Sequence, residues 1–93
     1  MVKKIQAAHI LVKDEAQAKS LTQELNSGGD FGKLAKKFST CPSGRNGGDL
    51  GWFGRNKMVP EFEKAAFGGR KGEIVGPVKT QFGYHIIKVI DRK

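Results

Sequence analysis

Apolar and polar positions change period several times along this chain, and each change predicts an element. Residues Ile5 to Val12, IQAAHILV, carry apolar and β-branched side chains without a breaker, which predicts a strand buried on both faces. Asp14 can then cap a helix running through Asn26, with Ala18, Leu21 and Leu25 at helical spacing and Gly28 as the stop. Asp30 caps a second helix at once. In it Phe31, Leu34, Ala35 and Phe38 follow the i, i+3, i+4, i+7 pattern of one buried face, and Lys33, Lys36 and Lys37 fall on the solvent side.

From Ser39 to Gly48 the sequence STCPSGRNGG predicts a loop, which displays its side chains at the surface. Asp49 to Phe53 is a short strand-like segment, after which Gly54 to Lys57 return the chain. Pro60 suits the first position of a helix over Glu61 to Phe67, ended by Gly68-Gly69. Ile74 to Thr80 contains Gly76-Pro77, and a proline without a ladder donor places this segment at a sheet edge. Tyr84 to Asp91, YHIIKVID, is the strongest strand. Strands separated by helices with no repeating strand-helix-strand unit predict an α+β domain around a small, largely antiparallel sheet. The glycines concentrate in the second half, so function is expected in loops there.

Length and charge narrow the picture. The 93 residues are expected to form one domain spanning positions 1–93, with a single modest core. An apolar content of 38% is too rich for a disordered chain. The 17 basic against 9 acidic residues give +8, which raises nucleic acid, an anionic membrane or an acidic partner. The basic residues form no block of five, however, and neither an RNA-stacking motif nor a phosphate-cradling glycine loop is present. A solvated face is the plainer reading, with no specific nucleic-acid partner. The basic start Met1 to Lys4 leads into an apolar run interrupted by Gln6 and His9, too short and polar for a signal peptide or a membrane span. The single Cys41 forms no internal disulfide and suits a reducing compartment. The chain is therefore expected to be complete, soluble and cytoplasmic.

Candidate chemistry is sparse. His9 and His85 are the only histidines, each in an apolar strand, where a satisfied core residue is the ordinary reading. If the first and last strands pair, the two imidazoles can meet and fix each other's tautomer. Two histidines and one cysteine at no recognised spacing make a poor zinc site, so no metal and no cofactor are expected. Cys41 is either a small loop residue or a polar thiol in a ligand pocket, and no cysteine-protease signature surrounds it. Leu50, Phe53, Met58 and Phe62 form an apolar set that serves equally as core packing or as an adaptable pocket for a small ring. Phe82, aromatic in a turn, suits the rim of such a pocket.

Five strings in order bring these residues together: His9-Ile10-Leu11-Val12-Lys13, Asp30-Phe31-Gly32-Lys33-Leu34-Ala35, Cys41-Pro42-Ser43-Gly44, Gly47-Gly48-Asp49-Leu50-Gly51 and Phe82-Gly83-Tyr84-His85-Ile86-Ile87-Lys88. Over nearly the whole chain they resemble the parvulin family of peptidyl-prolyl cis/trans isomerases. The resemblance implies an FKBP-like α+β fold, a four-stranded antiparallel sheet wrapped by helices, with His9 and His85 paired at the floor of the site. Cys41 matches a position held by Cys or Asp in the family, and Thr80 matches the hydroxyl that joins the histidines. Leu50, Met58 and Phe62 match the proline pocket, with Phe53 lining it as well. The implied partners are proline-containing peptides and unfolded proteins, acted on by a monomer, with weak attraction of anionic surfaces to the basic exterior. Relatives that demand a phosphorylated residue before proline carry an extended basic loop after the first strand. Here Lys13 runs straight into Asp14-Glu15, so no phosphate requirement is expected. On this reading Met58→Ala or Phe62→Ala loses turnover without unfolding.

Overall fold

The central strands are the two that the sequence marks most strongly as apolar. In the computed structural model, which describes residues 2–93, β1 (Lys4–Val12) lies beside β4 (Gly83–Arg92) in the middle of a four-stranded sheet. Strands β2 (Asp49–Gly54) and β3 (Ile74–Thr80) form the edges, in the order β2-β1-β4-β3, and every pairing is antiparallel. The register between β3 and β4 shifts between Val75 and Val78, around Gly76 and Pro77, where the proline supplies no ladder donor. The fold is therefore α+β, as the alternation of elements predicts.

Each sheet face carries its own apolar cluster, because successive strand residues point to opposite sides. Ala8, Ile10, Val12 and Ile86 pack against α1 (Glu15–Asn26) and α2 (Phe31–Phe38) through Ala18, Leu21, Leu25, Phe31, Leu34 and Ala35. Ile5, Ala7, Ile87 and Val89 pack on the other face against Phe62, Ala66 and Phe67 of α3 (Pro60–Gly68). Both early helices start where a carboxylate accepts an orphan amide: Asp14 from the N–H of Ala16 at 3.1 Å, Asp30 from that of Lys33 at 3.0 Å. The far end of α3 is tied to β4, where Arg92 donates to the carbonyl of Gly69 at 2.7 Å. At the same end of β4 the amides of Lys3 and Lys4 each donate to the carbonyl of Lys93 at 2.8 Å.

The segment expected to be a plain loop, Ser39 to Gly48, holds a short 3-10 turn over Pro42–Asn46. It is pinned to β1. Thr40 donates its amide to the carbonyl of Leu11 at 2.7 Å, and Leu11 donates in return to Ser39 Oγ at 3.1 Å. Gly48 completes the attachment by accepting the amide of His9 at 2.9 Å. Its φ of +83° and the 2.2 Å that would separate an added Cβ from the His9 carbonyl leave room for glycine alone.

Candidate active site

Register brings the histidines together. His9 stands opposite Ile87 and His85 opposite Leu11, so the two are diagonal neighbours on one face of adjacent strands. Their Nδ1 atoms lie 3.0 Å apart and their rings are within 16° of parallel. Phe62 projects from α3 with its edge to both rings, its centroid 5.5 Å from His9 and 5.2 Å from His85. Both imidazoles are buried.

Hydrogen bonds extend the pair in both directions. Thr80 Oγ1 is 2.8 Å from His85 Nε2, Ser43 Oγ is 3.1 Å from His9 Nε2, and Ser43 Oγ is 3.2 Å from Cys41 Sγ. Proton counting gives this chain a direction. The amide of Phe82 donates to Thr80 Oγ1 at 3.2 Å, and the other partner of that hydroxyl among the described residues is His85 Nε2. A buried hydroxyl hydrogen needs an acceptor, so Thr80 donates to His85 Nε2. His85 then carries its proton on Nδ1 and donates to His9 Nδ1. His9 carries its own on Nε2 and donates to Ser43 Oγ, leaving the Ser43 hydroxyl hydrogen for the Cys41 sulfur. Each group passes one hydrogen bond onward, and the chain ends on the thiol in the site.

The arrangement needs both rings neutral. Burial first, and then the neighbouring His85, lowers the pKa of His9 from 6.5 to about 4. Burial also lowers the pKa of His85.

Above this floor opens a cavity of about 550 Å³. Its wall is formed by His9, His85, Cys41, Leu50, Met58, Phe62 and Phe82, together with Leu11, Thr40, Pro42, Lys57 and Val59. Phe82, 53% exposed, stands at the rim. Thr80 lies behind His85, away from the wall. One sequence expectation needs correction: Phe53 does not line the cavity. It faces Ile5 across the β1–β2 ladder and is buried beneath the site, its ring 6.1 Å from that of Phe62 and 6.2 Å from that of Phe67. Sequence reasoning missed the wall residues Leu11, Thr40, Pro42, Lys57 and Val59, and it missed Ser43, which joins His9 to Cys41. The only signal for Ser43 was a hydroxyl two places after Cys41, in a segment where serine is ordinary turn chemistry.

A mostly apolar cavity set on a buried neutral histidine pair at the centre of this sheet fits the prolyl-isomerase class. Residues 3–91 match the family model for the rotamase, PPIC-type PPIase domain, and the chain belongs to that family of peptidyl-prolyl cis/trans isomerase domains, the parvulins. Foldase protein PrsA of Geobacillus kaustophilus is 59% identical over 97% of this chain and 32% of its own length. The crystal structure of the peptidylprolyl isomerase PrsA from Bacillus anthracis superposes with a TM-score of 0.96 at 45% identity, over 99% of this chain and 43% of that one. NmPin, the parvulin of Nitrosopumilus maritimus, gives a TM-score of 0.87 at 44% identity over 96% of this chain and 97% of its own. The chain spans about a third of the length of the curated PrsA relatives it matches.

Proposed function

We propose that the chain accelerates rotation about Xaa-Pro bonds without covalent chemistry, by withdrawing the amide from water, and that it acts in this way on unfolded or folding proteins. The reading is carried by the cavity wall, in which a mostly apolar surface meets two neutral imidazoles. Amide resonance sets a barrier of about 18–20 kcal/mol. Twisting the C–N bond localises electron density on nitrogen and leaves a less polar carbonyl. Water stabilises the planar, more polar amide better, so a dry wall of Leu50, Met58 and Phe62 favours the twisted state. Each tenfold in rate requires about 1.4 kcal/mol of that preference.

In this mechanism Cys41 is a polar wall atom rather than a nucleophile. Phosphate is not required, because β1 and α1 are joined by Lys13 and Asp14 alone, with Glu15 opening the helix. One peptide panel tests both statements. Ala-Pro and Leu-Pro peptides should be turned over by the wild type and by Cys41→Asp within about tenfold of one another, and phosphoserine-Pro should gain nothing. Loss of all turnover in a folded Cys41→Asp protein would establish an obligatory thiol. A marked advantage for phosphoserine-Pro would overturn the specificity reading.

The exposed Lys33, Lys36 and Lys37 of α2 lie on the helix face opposite its packed residues, and α2 belongs to the sheet face opposite α3 and the cavity. We propose that this basic face gathers acidic clients or anionic surfaces independently of the site. Changing the three lysines to glutamine should abolish salt-sensitive association while leaving peptide turnover unchanged. Equal loss of both would refute that separation.

A further inference from the structure

Twelve residues line the cavity, and one of them, Lys57, carries a charge at neutral pH. No carboxylate lines the wall. Lys57 follows a pinned turn: the carboxylate of Glu63 on α3 accepts the amide of Asn56 and pairs with Arg55 at 3.8 Å, while the Arg55 guanidinium also lies 4.3 Å over the ring of Phe67. Glu63, the acidic side chain bonded to this turn, is thus engaged by Arg55 and Asn56. Lys57 is exposed and takes part in no salt bridge among the described residues. Its neighbour Met58 is itself part of the wall. The turn therefore places an exposed lysine, without a salt bridge among the described residues, on the wall of an otherwise uncharged cavity.

We propose that Lys57 is a specificity-determining residue that favours substrates with a carboxylate side chain within two residues of the bound proline. This rests on the isomerase reading of the cavity and names the substrate class the cavity prefers. A four-carbon stem lets the ammonium follow a carboxylate on the flanking peptide. At solvent-exposed separations of about 7 Å the attraction changes affinity about threefold and weakens with salt. Such a contact differs from a phosphate requirement: it grades acidic against neutral peptides, and neutral peptides remain substrates.

The test is a set of Ala-rich proline peptides carrying Glu or its neutral isostere Gln at each of the two positions on either side of proline. Exchange rates are measured by NMR at low salt. The wild type should favour Glu over Gln about threefold at one or more positions, with the preference fading at 0.5 M salt. Lys57→Gln should bring that ratio to about one, and Lys57→Glu should invert it. Lys19→Gln removes the same net charge from α1, on the opposite face of the sheet, and should leave the ratio as in the wild type. Backbone amide spectra establish that each variant is folded. A Glu/Gln ratio of one in the wild type, or a ratio unchanged in Lys57→Gln, overturns the assignment while the Ala-only peptide still reports isomerase activity. Failure of the wild type to accelerate even that peptide removes the assignment together with the reading it rests on.

Discussion

Phe62→Ala is expected to cost about 3–5 kcal/mol of stability, the range for truncating a buried aromatic ring. In a domain whose total stability is of order 5–15 kcal/mol, much of the protein would then unfold at moderate urea concentrations. Phe62 is only 2% exposed and supports three rings at once: His9, His85 and Phe53. This corrects the simple expectation that truncating it removes turnover from an intact fold. The wall residue that isolates turnover from folding is Met58, half-buried at the edge of the same cluster. Met58→Ala should lower kcat/KM about tenfold while shifting the urea midpoint far less than Phe62→Ala does. Paired urea melts and exchange kinetics on the two variants check this. A Phe62→Ala protein as stable as wild type would show that α3 seats on the sheet without that ring.

Acid should unfold the protein through its site. His9 has an ordinary pKa of 6.5 in the unfolded chain and about 4 in the folded one. Between those values the unfolded state binds more protons, so stability is fully present above 6.5 and is lost as pH falls toward 4. The His9 shift corresponds to about 3 kcal/mol, and His85 acts in the same direction. Urea midpoints measured from pH 7 to pH 4 should fall steadily across this window. A His9→Gln variant should flatten the fall, and an equally steep fall in that variant would place the acid sensitivity elsewhere. Turnover of the folded protein should hold through most of this window and decline only near pH 4, where His9 itself takes up a proton and can no longer accept from His85 Nδ1.

Most of the architecture was legible because burial has a period. The paired central strands, the two capped helices and the edge position of the proline-containing strand all follow from local rules that the final packing obeys. The pairing of His9 with His85 was also legible, since two apolar strands each carrying one histidine have few other ways to satisfy them. The errors lie where contacts are distant in sequence. The residues left Phe53 open between core and pocket, and the family resemblance implied the lining. The true setting of Phe53 comes from register opposite Ile5 and from the rings of α3 above it. Ser43 escaped notice because its role depends on a loop held to β1 by Thr40 and Gly48, bonds that no spacing rule reveals. For Phe62 the sequence left core and pocket as alternatives, whereas its ring forms a wall on one side and core on the other.

The bonds that join Lys3 and Lys4 to Lys93 have a mechanical meaning. They place the outer ends of the two central strands side by side, and those strands are antiparallel. A pull applied at these two points therefore loads the β1–β4 ladder one rung at a time, as a zipper opens, rather than shearing all its rungs together. The domain should yield to low force along this axis. After the Lys4–Lys93 bonds the next rungs to open belong to Ile5 and Gln6, and the histidine pair lies several rungs further in. Tension would fray one end of the sheet well before it reached the histidine pair.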